Sequence, residues 1–277
     1  FKTFLKLIQL FRNPYLYILA IIFLSCEELP EFPTAESGTS EIDPPVTTIV
    51  TASGTTFNSS TVTIQWEGNE SARIFDYRLE YEDTSIPHSW TEWDTTSTTS
   101  VEFSDLDEGF YTFFISGRYN VDNVEDEQIL SFTVNAIAGP ALRIYPLRQE
   151  VTANSNFDVH IYLEEIESIE NIIFLKIYID YDPTILTYTG FEKSAVASDL
   201  SLFPTPADEN SQILIEGGRL GSDISGTGPV GKLTFNIAGQ AESTQISIGE
   251  SSFYHLGSSS DTLTFSNTVG GLIEVLP

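Results

Sequence analysis

The sequence predicts an all-β protein: two β-sandwich domains after an N-terminal signal helix. Three observations lead there. From residue 45 onward, apolar residues recur at every second position in short runs, as in strands with one buried face. Clusters of Ser, Thr, Asp and Gly punctuate these runs at sandwich-like intervals, and no helical period lasts three turns after residue 30. The stretch from Tyr15 to Leu24 is apolar, yet only about half the ~20 residues that span a bilayer.

At the start, Lys2, Lys6 and Arg12 precede that short apolar stretch, and small Ser25 precedes Cys26, the only cysteine in the sequence. A cationic start, an apolar segment and a small residue before a cut are the layout of an export signal over residues 1–25. Phe23-Leu24-Ser25-Cys26 resembles the lipobox of bacterial lipoproteins, with Phe23 in place of the usual leucine and Leu24 in place of a smaller residue. The resemblance implies that the Cys26 thiol is lipidated, so that a lipid anchor is the protein's only hold on the membrane. Glu27-Glu28 loosely resemble a surface-export signal, which implies the outer face of an outer membrane. Residues 26–44, acidic and rich in Pro, Ser and Gly, read as a flexible acidic linker.

Composition narrows the partners. Forty acids against twelve basic residues give a formal charge of −28, which repels phosphate backbones and excludes nucleic acid as a partner. The same acidity suits solubility, salt tolerance or calcium. A lone cysteine forbids internal disulfides, so stability must come from apolar cores, for which 41% hydrophobic residues suffice.

The first unit, residues 45–136, alternates at Val62, Ile64 and Trp66; at Tyr77, Leu79 and Tyr81; at Tyr111, Phe113 and Ile115; and at Leu130, Phe132 and Val134. Trp66, Tyr77-Arg78-Leu79-Glu80-Tyr81, Trp90 with Trp93, the run from Leu106 to Phe113 and Arg118-Tyr119-Asn120 together resemble the fibronectin type III and immunoglobulin-like sandwiches. The resemblance implies that Tyr111 is a corner tyrosine, its ring in the core and its hydroxyl tied to backbone. Such folds serve as spacers or interaction modules.

Alternation stops at Ala136-Ile137-Ala138-Gly139-Pro140 and restarts in a second unit, residues 140–277. Strands are expected at Phe157–Ile161, Phe174–Tyr181, Ile185–Tyr188, Gln212–Glu216, Lys232–Ile237, Thr244–Ile248 and Gly271–Val275, a set suited to a two-sheet jelly roll. Four segments resemble cohesin domains in order and spacing: Asn156–Ile161, the strand and YDP turn from Ile177 to Leu186, Gly226–Phe235 and Gly270–Val275. Cohesins are receptors for dockerin modules, so the resemblance implies docking of a dockerin-like protein module, in a setting of extracellular polysaccharide degradation.

Within FLKIYIDYD the odd set Leu175, Ile177, Ile179 and Tyr181 reads as core, which turns Phe174, Lys176, Tyr178 and Asp180 outward. Aligned on the YDP turn, the outer set falls on the strand that cohesins present to dockerin, making Phe174, Lys176 and Tyr178 the candidate partner-binding residues. Cohesins of cellulolytic bacteria carry small polar or acidic residues where Phe174 and Lys176 stand. Cross-strand pairing or a covering loop is the other account of Phe174 and Tyr178.

Direct binding to a surface polysaccharide is the alternative function, and a structural spacer a third. Trp90 and Trp93 could form a sugar platform or cover an edge of the sandwich. No metal site or cofactor is expected: the Asp122–Glu127 loop lacks the EF-hand spacing, and Asp180 and Asp182 suit the turn into Pro183. Nor is an enzyme. His88, His160 and His255 are scattered, no nucleophile motif is present, and both units are short enough to be spent on their own sandwiches, without loops to wall a catalytic cleft.

Overall fold

A computed structural model of the chain describes residues 43–85, 88–166, 172–194, 201–202, 207–209, 211–218, 226–238, 242–256 and 262–276. The signal segment, Cys26 and nearly all of the linker lie outside these residues. Pro44 to Pro277 form one compact unit. Among the described residues it contains no α-helix, one 3-10 turn at Ser89–Thr91, and no helix long and apolar enough to cross a membrane.

The first sandwich holds eight strands: β1 (Thr47–Ile49), β2 (Thr55–Phe57), β3 (Val62–Gly68), β4 (Ile74–Tyr81), β5 (Asp94–Thr96), β6 (Ser100–Phe103), β7 (Gly109–Arg118) and β8 (Gln128–Val134). A three-stranded sheet, β1-β3-β6, faces a five-stranded one, β2-β8-β7-β4-β5. Between them Trp66 stacks on Phe113 with centroids 6.0 Å apart and meets Phe75 edge-on at 5.5 Å. The Tyr111 ring is buried, and its hydroxyl donates to the Asp107 carbonyl at 2.9 Å, the arrangement expected of a corner tyrosine.

The second sandwich runs through β9 (Ala141–Tyr145), β10 (Arg148–Thr152), β11 (Asn156–Ile166), β12 (Ile172–Tyr181), β13 (Leu186–Lys193), β14 (Ser201–Leu202), β15 (Ala207–Glu209), β16 (Gln212–Gly218), β17 (Gly226–Ile237), β18 (Ser243–Ile248), β19 (Phe253–Leu256), β20 (Thr262–Thr264), β21 (Asn267–Val269) and β22 (Gly271–Leu276). One sheet follows the order β10-β22-β18-β12-β16-β14, with β15 against β16 and β19 joining β12 to β20. The other is β13-β17-β11-β9-β21. Alternate residues of both sheets fill a single core that includes Ile161, Ile177, Ile179, Leu233, Phe235 and Ile246.

The seven strands expected in this unit are present. The sequence reading did not foresee β9, β10, β14, β15 or β19–β21, nor β1, β2, β5 and β6 in the first unit. β9 is buried at all five positions and so carries no alternation. The others are short or lie at sheet edges, where little pattern can accumulate.

The two sandwiches meet through a buried charged junction. Arg143 on β9, 4% exposed, donates through Nη1 to Asp107 Oδ1 of the first sandwich at 3.0 Å and through Nε to Glu164 on β11. The backbone N–H of Leu147 also donates to Asp107 Oδ1, at 3.0 Å. The Arg143 guanidinium lies 5.0 Å from the Tyr145 ring centroid and 4.7 Å from that of Tyr162, while the Tyr145 hydroxyl donates to Asp83. Burial pushes the Asp107 carboxyl up to about 7, against the opposing pull of Arg143 and the Leu147 N–H. Gly139 belongs to this close approach, because a Cβ there would sit 2.5 Å from the Glu164 carbonyl oxygen.

Candidate functional site: the outer face of a sheet

β12 runs through the interior of its sheet, paired with β16 on one side and with β18 and β19 on the other. Ile172, Leu175, Ile177, Ile179 and Tyr181 are buried, whereas Phe174, Lys176, Tyr178 and Asp180 are partly exposed on the opposite face. The facing read from the period-two pattern is the facing observed.

Antiparallel pairing decides what stands beside these residues, since directly paired positions share a face. Phe174 pairs with Gly218 and His255, Lys176 with Glu216 and Phe253, Tyr178 with Leu214, and Asp180 with Gln212 and Ser247. Phe174 lies 6.1 Å from Phe253 and 5.5 Å from His255, centroid to centroid. Lys176 Nζ forms an ion pair with Glu216 Oε2 at 3.2 Å and lies 5.6 Å from the Tyr178 ring centroid. That hydrogen bond to Glu216 raises the lysine pKa and keeps the group charged. Gln212 Nε2 donates to Asp180 Oδ1 at 2.7 Å.

The result is an aromatic stripe with charged company. Phe174 and Phe253 form an apolar centre, and Lys176, Glu216 and Asp180 supply oriented charge around it. The rings of Phe174 take part in cross-strand contacts and remain partly open to solvent, so neither account of that residue excludes the other. Beneath Tyr178 the turn at Gly249 approaches closely: a Cβ there would stand 2.9 Å from Tyr178 Cβ, and the Gly249 N–H donates to the Tyr178 carbonyl at 2.8 Å.

Other candidates resolve differently. Asp182 Oδ1 accepts from the Thr184 N–H at 2.8 Å and from its hydroxyl at 2.6 Å, so it serves the turn before β13. In the acidic loop, Glu125 accepts from the backbone N–H groups of Thr47 at 2.7 Å and Gly117 at 2.6 Å. Among the described residues, no group of three or more His, Cys, Asp or Glu side chains could hold a metal ion. Trp90 stacks on His88 at 4.2 Å, and the Arg148 guanidinium lies 5.4 Å from its ring centroid. Trp93 is 46% exposed, with the Arg78 guanidinium 5.1 Å from its ring centroid. His88, His160 and His255 stand on a loop, β11 and β19 respectively.

Where the β17-β11-β9 face meets the loop after β4, a cleft of about 740 Å³ opens, lined by residues of both sandwiches.

No curated protein matches the chain. Among solved structures, the sixth cohesin of Acetivibrio cellulolyticus scaffoldin B, in complex with a mutant Cel5 dockerin, is 17% identical with a TM-score of 0.43, covering 50% of this chain and 100% of that one. A non-cellulosomal cohesin of the archaeon Archaeoglobus fulgidus is 13% identical with a TM-score of 0.39, covering 50% and 91%. The cohesin module of a Clostridium perfringens family 33 glycoside hydrolase is 12% identical with a TM-score of 0.42, covering 48% and 96%. The cohesin domain model matches residues 148–275, which is the second sandwich without β9. That sandwich, over residues 148–275, is a cohesin domain.

Proposed function

We propose that the protein is a non-catalytic binding lipoprotein whose second sandwich docks a dockerin-like protein module on the outer face of β12. The observation that carries this reading is the cohesin match over residues 148–275. The β12 face supports it physically, because Phe174, Lys176 and Tyr178 offer exposed aromatic area beside oriented charge, a composition suited to the centre of a protein interface. The aromatic and lysine side chains also predict selectivity: a dockerin that presents a basic surface to small acidic positions would meet Lys176 as a like charge.

In this reading the first sandwich is a fibronectin III-like spacer, and Cys26 anchors the chain by lipid at the cell surface. The eight-strand arrangement around Trp66 and the Tyr111 corner support the spacer assignment. The test is capture of dockerin-bearing proteins from the native secretome by the full chain, compared with Phe174→Ser/Tyr178→Ser. At least about a tenfold loss of capture by the variant, with unchanged melting, is expected; equal capture would remove the face from consideration. Labelling with a radioactive fatty acid should mark the wild type and not Cys26→Ala.

A further inference from the structure

The cleft between the two sandwiches belongs to neither the docking face nor the spacer role. Its floor is the outer face of β11 and β17, where Asn156, Asp158, His160 and Tyr162 stand in line beside Lys232 and Thr234. One wall is Asp83 and Ser85 of the first sandwich, and another is Tyr145 and Gln149. Its volume of about 740 Å³ falls within the range of small-molecule sites.

We propose that this cleft binds a neutral, hydroxyl-rich ligand: a short segment of glycan chain. Three features carry the assignment. First, the lining is mixed in the way a sugar ring requires. The partly exposed ring of Tyr162, backed at 5.1 Å by the buried ring of Tyr145, can meet the apolar C–H faces, while amide and carboxylate groups on the same floor can pair with hydroxyls.

Second, the charges are already matched within the protein. Lys232 Nζ pairs with Asp158 at 2.9 Å and Glu192 at 3.3 Å, Thr234 donates to Asp158 at 2.6 Å, and Tyr145 occupies Asp83. A charged ligand would have to break one of these pairs; a neutral one uses their remaining lone pairs. An anionic ligand would also face a protein of formal charge −28. Third, Gln149 Oε1 is buried with no hydrogen-bond partner in the protein, and Gln149 lines the cleft. An unpaired buried acceptor is costly, and a turn of the Gln149 side chain toward the cleft it lines would let a ligand hydroxyl satisfy it.

The cleft floor and the β12 face lie on different sheets of the second sandwich, and Gln149 stands on the edge strand β10, separated from β12 by β22 and β18, so the two sites are separable by mutation. Because the walls come from both sandwiches, neither alone would make the site. The experiment is calorimetric titration of the full chain with cello-, xylo-, manno- and maltohexaose, each to about 5 mM, a range that detects even weak carbohydrate affinity. Binding of at least one is expected, weakened at least about tenfold by Gln149→Ala and by Ser85→Arg, which fills the mouth from the other sandwich, and unchanged in Phe174→Ser/Tyr178→Ser. Asn156→Ala, on the exposed rim, replaces either cleft variant if its melting shifts. No binding to any of the four, or binding that survives the cleft substitutions, would overturn the assignment.

Discussion

At the residue scale, two side chains have consequences that can be measured directly. The Tyr111 hydroxyl donates one buried hydrogen bond while its ring stacks on Phe132 at 5.4 Å, so Tyr111→Phe removes the bond and keeps the packing. A loss of about 1 kcal/mol in urea unfolding is expected. His88 gives a pH effect. Burial pushes its pKa down to about 4 despite the attraction of Glu150, while an unfolded histidine titrates near 6.5. Between those values the unfolded chain holds a proton that the folded chain lacks, so stability is full above pH 6.5 and falls as the pH drops toward 4. The His88 contribution to that loss is about 3 kcal/mol at pH 4. His88→Phe keeps a ring against Trp90 without a titrating group, and the difference in its urea midpoint between pH 7 and pH 4 should shrink accordingly.

At the element scale, β12 shows how far local pattern reaches. FLKIYIDYD contains its own facing, because strict alternation admits only one assignment of core and surface. It does not contain Phe253, Leu214 or Glu216, which come beside Phe174, Tyr178 and Lys176 only through pairing with β16 and β19. The facing of the strand was therefore legible and its neighbourhood was not. β9 failed for the opposite reason: ALRIY is buried throughout, and its arginine argues for a surface until Asp107 and Glu164 are seen around it. The cleft between the sandwiches was illegible because it depends on the meeting of residues from Asp83 to Thr234, drawn from both sandwiches. If the β12 face is an interface and not merely a covered surface, Phe253→Ser should weaken partner capture together with Phe174→Ser. A lowered melting temperature without loss of capture would instead mark these rings as packing residues.

For the whole molecule, the decisive contact is the Arg143 cluster. Its guanidinium is shared by carboxylates from each sandwich, Asp107 and Glu164, and flanked by two tyrosine rings. Removing it with Arg143→Met leaves two carboxylates buried without a cation, at a cost of about 3–5 kcal/mol. Scanning calorimetry is expected to give one transition for the native protein and two for the variant, since the sandwiches lose their shared ion. Combining Arg143→Met with Asp107→Leu and Glu164→Leu should restore much of the midpoint, because apolar groups of similar volume can replace a buried ionic triad.

The pairing of β22 bears on how the protein is made. β22 lies between β10 and β18, and its parallel ladder joins Arg148–Thr152 to Leu272–Leu276, so an early strand of the cohesin domain must wait for a very late one. Ladders of such long sequence separation form slowly. Translation or export arrested before residue 271 should leave a protease-sensitive chain in place of a half-built domain, and release of the final strand should confer resistance in one step.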